Sequence, residues 1–189
     1  MPSVTCYVQK AFINHTERGE NTVDRDELIQ AVETYRPAIF RIAYGYTGSY
    51  EDSEDISQEV FLKLFKSNKQ FKNEEHKKAW LIRVTINASK DLLRTSWRKK
   101  RAELPPENTP YYSDVQEREL FDCVMRLPVN YRTPVYLYYY EDYTIGDISQ
   151  LTGISKSAVT TRLARARDML KKTYVKEEMT YERQYQENV

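Results

Sequence analysis

The stretch Thr144–Lys172, TIGDISQLTGISKSAVTTRLARARDMLKK, decides the reading of the fold. Thr144-Ile145-Gly146-Asp147 has capping-box spacing, with Asp147 where Glu or Gln is more usual, and predicts a helix start. Ile148 and Leu151 face inward from this short helix. Gly153 ends it, because glycine enters the left-handed conformation without steric cost. Ile154 plugs the space between two helices, and Ser155 caps the second. There Val159, Leu163, Ala166 and Leu170 recur at steps of four, three and four residues, forming one apolar stripe. The opposite face carries Ser157, Thr160, Thr161 and Ala164, with Arg165 and Arg162 at its edges. Small side chains let a helix backbone approach base edges in the major groove, while arginines hold phosphates or guanines. Lys156 and the positive end of the helix favour a phosphate. The expectation is a helix-turn-helix that binds duplex DNA. A plain helical hairpin with a solvated basic face would explain the charge, but not the Gly-Ile-Ser turn followed by this stripe.

Working outward, Leu120, Val124 and Leu127 and then a tyrosine-rich helix over Tyr131–Tyr140 complete a small helical domain at 117–175. Pro134 interrupts the tyrosine-rich segment, so either Thr133 caps a helix that begins there or the helix kinks. Residues 176–189 are polar and read as a fraying tail. Upstream, 102–116 holds Pro105, Pro106 and Pro110 among Glu, Asn, Thr and Ser, the composition of a flexible linker. Before it, 24–101 reads as an N-terminal domain of three helices. The first starts near Asp24 with Leu28, Ile29, Val32, Ile39, Ile42 and Ala43 inward, and Pro37 should kink or divide it. Gly45 and Gly48 mark its end. Ser49 is placed to cap a second helix reaching about Phe65. A third runs from about Glu74 to Arg101, with Leu81, Val84, Ala88 and Leu92 toward the core. Residues 1–23 have no sustained period and read as a flexible extension. With no strand pattern, the fold class is all-α, two small helical domains joined by a linker.

Five glycines and 30% charged residues in 189 fit a soluble helical protein. No segment approaches the roughly 20 apolar residues of a membrane span, and Met1–Asn14 lacks the form of a signal peptide, so the expected location is cytoplasmic. Cys6 and Cys123 make neither a metal nor a disulfide pattern, and Cys123 reads as a small core residue. The net charge of +1 hides a segregated distribution. Glu51, Asp52, Glu54, Asp55 and Glu59 cluster, as do Arg94, Arg98, Lys99, Lys100 and Arg101, and again Lys156, Arg162, Arg165, Arg167, Lys171 and Lys172. Acidic and basic faces on one chain suggest a protein partner and a nucleic-acid partner together.

The segment Leu127-Pro128 … Tyr143-Thr144-Ile145-Gly146-Asp147-Ile148-Ser149 … Gly153-Ile154-Ser155 … Val159 … Arg162-Leu163-Ala164-Arg165-Ala166-Arg167 resembles region 4 of the sigma-70 family, most like the extracytoplasmic-function (ECF) group, which retains only regions 2 and 4. Independently, Asp52-Ser53-Glu54-Asp55-Ile56-Ser57-Gln58-Glu59-Val60-Phe61 is similar to that family's polymerase-binding helix. Ala79-Trp80-Leu81-Ile82-Arg83-Val84 … Asn87 … Asp91-Leu92-Leu93-Arg94 looks like its promoter-melting helix. The resemblance covers about residues 24–175. It departs at Gly146 and Ser149, which stand where the family has an acidic residue and Ala, at Thr152 in an apolar position, and at Pro134.

The resemblance implies a sigma factor that binds core RNA polymerase and directs promoter-specific initiation. Asp52, Asp55, Gln58, Glu59 and Leu62 would bind the clamp helices of the largest polymerase subunit, and a mixed polar and apolar patch suits such an interface. Acids early in a helix also serve its dipole, which is the structural explanation to set beside this one. Region 4 would contact the flap region. Trp80, Arg83, Asn87, Asp91, Arg94 and Arg98 would face the −10 element, Asn87 and Asp91 bonding an unstacked base while arginines follow phosphates. Trp80 ranks below Asn87, because tryptophan packs more often than it stacks on bases. The loop at about Asn68–Lys78 would capture a base flipped from the opened strand, binding energy offsetting the lost stacking. Lys156, Ser157, Thr160, Thr161, Ala164 and Arg165 would hold the −35 element as duplex, the threonines reading bases and Lys156 and Arg165 taking phosphates. Restraint by an anti-sigma factor is a family expectation.

A two-domain helix-turn-helix regulator acting without polymerase would explain the C-terminal domain equally well, but not the acidic helix or the Trp80–Arg94 segment. An enzyme would need a site. Asp52, Asp55 and Glu59 with His76 lack metal-motif spacing, and no phosphate loop or nucleophile motif occurs. Neither catalysis, metal nor cofactor is expected. The sixteen tyrosines, Tyr138, Tyr139 and Tyr140 among them, are assigned to packing and capping the small domain.

Overall fold

The computed structural model describes residues 25–67, 69–95 and 115–187. The extension at 1–23, Arg98 and its basic neighbours, and the proline-rich part of the linker lie outside the described residues, as does the side chain of Leu120. Seven helices are described: α1 Arg25–Thr47, α2 Tyr50–Lys66, α3 Glu74–Thr95, α4 Val115–Met125, α5 Val129–Tyr139, α6 Ile145–Thr152 and α7 Lys156–Glu187. They fall into two compact units, divided between Ser113 and Asp114. Among the described residues there is no strand, and no helix is long and apolar enough to cross a membrane.

In the first unit α1, α2 and α3 pack on one another. Leu28, Val32, Ile39, Ile56, Val60, Phe61, Leu64, Phe65 and Leu81 form the core. Pro37 does not divide α1, which runs unbroken from Arg25 to Thr47. Tyr35, Ile39 and Phe40 on either side of the proline are buried, and this packing outweighs the loss of one intrahelical hydrogen bond. Gly48, at φ 62°, turns the chain, and the Ser49 hydroxyl then accepts from the Asp52 amide as the cap of α2.

The inward face of α3 differs from the expected one. Leu81, Ile82, Thr85, Ile86 and Ser89 are fully buried, while Val84, Ala88 and Leu92 pack at the margin. The core face is therefore rotated toward two hydroxyl residues. Thr85 Oγ1 donates to the Leu81 carbonyl at 2.8 Å and Ser89 Oγ to the Thr85 carbonyl at 2.8 Å. These bonds remove the penalty for burying the hydroxyls.

In the second unit Phe121, Val124, Leu127, Val135, Leu137, Ile148, Val159, Leu163 and Ala166 are buried. Cys123 is half-buried with a free thiol. Three boundaries differ from those read in the sequence. Helix α4 starts at Val115, two residues inside the expected linker. Helix α5 starts at Val129 and passes through Pro134, so Thr133 does not cap it; that hydroxyl is buried and unbonded. Helix α7 continues to Glu187 instead of fraying after 175, its sequence from Lys156 having no Gly or Pro to stop it.

Candidate nucleic-acid interface

The helix-turn-helix forms with the local chemistry its sequence specifies. The Asp147 amide donates to Thr144 Oγ1 at 3.2 Å, and the Thr144 amide donates to Asp147 Oδ2 at 3.2 Å, closing the capping box reciprocally. Gly153 sits at φ 74° and its amide bonds the Ser149 carbonyl. The Ser155 hydroxyl accepts from the Ala158 amide at 3.2 Å and starts α7.

The structure accounts for the departures from the family pattern. Ser149 Oγ donates to the Ile154 carbonyl at 2.6 Å, tying the turn to α6. Buried Thr152 donates to the Ile148 carbonyl at 2.5 Å, so an apolar position tolerates its hydroxyl. A Cβ at Gly146 would lie 3.7 Å from Cε of Lys156, which rests beside it. Pro134 lacks the N–H that would bond Asn130 O. Instead Arg162 Nη1 donates to that carbonyl at 3.2 Å, joining α5 to α7. Arg162 is therefore more than an edge charge, since it satisfies an acceptor that a proline left open.

Lys156, Ser157, Thr160, Thr161, Ala164 and Arg165 are all exposed together on α7. Thr160 Oγ1 donates to the Lys156 carbonyl at 3.0 Å and Thr161 Oγ1 to the Ser157 carbonyl at 2.9 Å. With each hydrogen held by the helix, the two threonines offer an outside ligand an acceptor oxygen and a methyl group. Beside this face a groove of about 430 Å³ opens between α7 and the first residues of α5, lined by Asn130, Tyr131, Ser157, Thr161, Arg162 and Arg165. Nothing in the linear pattern announced Asn130 or Tyr131, which lie about thirty residues before the reading helix.

On α3 of the first unit, Arg83, Asn87, Asp91 and Arg94 are exposed along one side. Asp91 is ion-paired with Arg94 within the helix. Trp80 is half-buried, its ring 5.6 Å from that of Phe71, with Lys69 Nζ 5.5 Å above it. Trp80 also packs against the core of the first unit. The loop before α3 ends at Asn73, whose Oδ1 accepts from the His76 amide at 2.8 Å. Lys77 anchors this end of α3. It is buried, and its Nζ donates to Glu27 and Glu74, each at 2.9 Å. Burial lowers the Lys77 pKa, but the bonds to the two carboxylates outweigh it and the net shift is upward. Tyr35 donates to Glu74 at 2.7 Å. Burial first, then the Glu74 hydrogen bond and charge, push the Tyr35 hydroxyl up to about 12. The same hydrogen bond, followed by that from Lys77, lowers Glu74.

The acidic cluster on α2 separates into two roles. Glu54 is buried and both its oxygens accept from Arg36 Nη2, at 3.1 and 3.2 Å. It is a structural ion pair and is removed from the surface. Asp55 and Glu59 are exposed, with Asp52, Gln58 and Leu62 half-buried beside them. Glu59 also pairs with Lys63 at 2.6 Å. Among the described residues no group of three or more His, Cys, Asp or Glu could hold a metal ion.

Comparison with known proteins matches residues 31–99 to the model of Sigma-70 region 2 and residues 117–170 to that of Sigma-70, region 4. RNA polymerase sigma factor SigV of Bacillus subtilis is 27% identical over 158 residues, covering 81% of this chain and 94% of the relative. ECF RNA polymerase sigma factor SigW of the same organism is 27% identical over 185 residues, covering 86% and 95%. Among solved structures, the sigma factor RpoE in complex with the anti-sigma factor NepR from Bartonella quintana has a TM-score of 0.58 at 18% identity, covering 76% of this chain and 93% of that one. CnrH in complex with the cytosolic domain of CnrY gives 0.52 at 20% identity, covering 89% and 94%. With regions 2 and 4 matched in order, one in each helical unit, the chain belongs to the sigma-70 family, in its ECF group.

Proposed function

We propose that this chain is an alternative sigma factor that joins core RNA polymerase in the cytoplasm and directs it to promoters, acting by binding and not by catalysis. The observation that carries this reading is the pairing, in one chain, of a capped helix-turn-helix with an exposed reading face and a second helical unit that carries an acidic face and a separate Arg-Asn stripe. A DNA regulator needs the first alone.

The α2 face of Asp52, Asp55, Gln58, Glu59 and Leu62 is the docking surface for the polymerase clamp helices, and the region 4 unit contacts the flap. Asn87, with Arg83, Asp91 and Arg94, takes the opened −10 strand; Trp80 supports this face by holding Phe71. Asn87 presents both a donor and an acceptor to an unstacked base. Lys156, Ser157, Thr160, Thr161, Ala164 and Arg165 take the −35 element as duplex. One solved structure of similar fold is held by an anti-sigma factor, and restraint by such a partner is part of this reading. On this account residues 24–101 act as region 2, 102–116 as the linker and 117–175 as region 4. Affinity capture with purified core polymerase tests the proposal. Wild type should bind core, and a variant with Asp55→Lys and Glu59→Lys should bind at least tenfold more weakly. Failure of the wild type to bind core, with full binding to promoter duplex alone, would replace this reading with that of a free regulator.

A further inference from the structure

The groove between α5 and α7 lies beside the reading face and shares Ser157, Thr161 and Arg165 with it. Its lining residues include two guanidinium groups and no carboxylate. Its far wall is the start of α5, where Asn130 is exposed and Tyr131 half-buried. The wall is held in place by the Arg162 bond to Asn130 O. That bond uses one guanidinium nitrogen, leaving Arg162 with further donors beside the groove. The cap residue of α5 is Pro128, which has no side-chain bond to the first amides, so no side chain offsets the positive end of this eleven-residue helix.

When a helix lies in the major groove, the elements flanking it meet the phosphate rails. Asn, Tyr and Arg side chains and helix N-termini are among the groups that make such contacts. We propose that this groove is a phosphate clamp. Asn130, Tyr131 and Arg162 hold one backbone phosphate of the duplex on the α5 side of the reading helix, and so fix the register in which Thr160 and Thr161 meet the bases. The inference rests on the assignment of α7 as the −35 reader. It gives α5, and the proline that opens its Asn130 carbonyl to Arg162, a part in docking.

The test uses holoenzyme reconstituted with the full chain and promoter duplexes, each carrying one neutral methylphosphonate in place of a phosphate. Asn130→Asp is the informative variant. A carboxylate early in α5 is favoured by the helix dipole, so the fold is retained, but it repels a phosphate in the groove. The variant should bind promoters about tenfold more weakly, by the same factor on fragments of different −35 sequence, and its dependence of log affinity on log salt should be shallower by about 1. One methylphosphonate position should weaken wild-type binding yet strengthen binding of Asn130→Asp. A scan in which no position shows this inversion, with an unchanged salt slope, overturns the clamp. Thr160→Ala and Thr161→Ala serve as the second arm. If they alter −35 preference while the scan is flat, the clamp alone fails. If they leave preference unchanged, the −35 assignment fails and the clamp with it.

Discussion

Gly146 and Gly153 stand seven residues apart in the helix-turn-helix, and replacing each by alanine should move stability in opposite directions. A Cβ at Gly153 would meet nothing within 4 Å, so the cost there is purely conformational. At φ 74° an L-residue occupies the left-handed region, at a cost of roughly 1–2 kcal/mol. Alanine also makes the unfolded chain less flexible, which offsets about 0.4–1 kcal/mol. The net loss is about 1 kcal/mol. At Gly146 the new Cβ would lie 3.5 Å from Thr144 Oγ1 and 3.7 Å from Lys156 Cε, ordinary contacts in a helical position. There alanine should stabilise by about 0.5 kcal/mol, less than the full glycine penalty because the site is in the first turn. The two variants should differ by about 1.5 kcal/mol, or about tenfold in the opening equilibrium. Native-state hydrogen exchange of amides in α6 and α7 reads this unit apart from the other, which a whole-chain melt does not. Gly153→Asn should lose less than Gly153→Ala, since asparagine tolerates the left-handed region. Equal signs for the two alanine variants would refute the assignment of Gly153 as an obligatory left-handed cap.

Tyr35→Phe tests the network at the start of α3. Because the folded pKa is raised, to about 12, above an unfolded value of about 10, the stabilisation is complete below the unfolded value and is lost as pH rises through the folded one. Wild-type urea midpoints for the first unit should fall across that alkaline window, and the Phe variant should lack this component; parallel pH profiles would exclude it. Glu54→Ala removes the buried carboxylate that accepts from Arg36 and should cost about 2 kcal/mol in chemical denaturation, whereas a loss below about 1 kcal/mol would return Glu54 to the surface cluster. Asn87→Ala should reduce permanganate-detected strand opening more than closed-complex binding. Equal loss in both would count against a role in melting.

The helix-turn-helix was legible in the sequence because its determinants are local. The Thr144–Asp147 box, Gly153, Ser155 and the Val159–Leu163–Ala166 stripe each act within a few residues, and every one is found as read. What escaped is non-local or hidden by residue type. Thr85 and Ser89 look like surface residues until their hydroxyls are seen to bond the preceding turn, so apolar spacing alone misplaces the core face of α3. Pro37 and Pro134 signal breaks in isolation. Packing around the first, and Arg162 reaching the carbonyl orphaned by the second, keep both helices continuous. The Arg36–Glu54 pair joins two helices through residues eighteen apart in sequence, which charge clustering along α2 could not disclose. The same limit hid Asn130 and Tyr131, whose placement beside Arg165 depends on how α5 packs against α7.

In vitro transcription with purified core polymerase on genomic fragments tests the central claim most directly. With the chain present, discrete start sites should appear that core enzyme alone does not use, preceded by two shared sequence elements at fixed spacing. Thr160→Ala or Thr161→Ala should relax the upstream element, and Asn87→Ala should weaken use of the downstream one. Transcription no different from core enzyme alone, with the chain still binding promoter duplex by itself, would contradict the account.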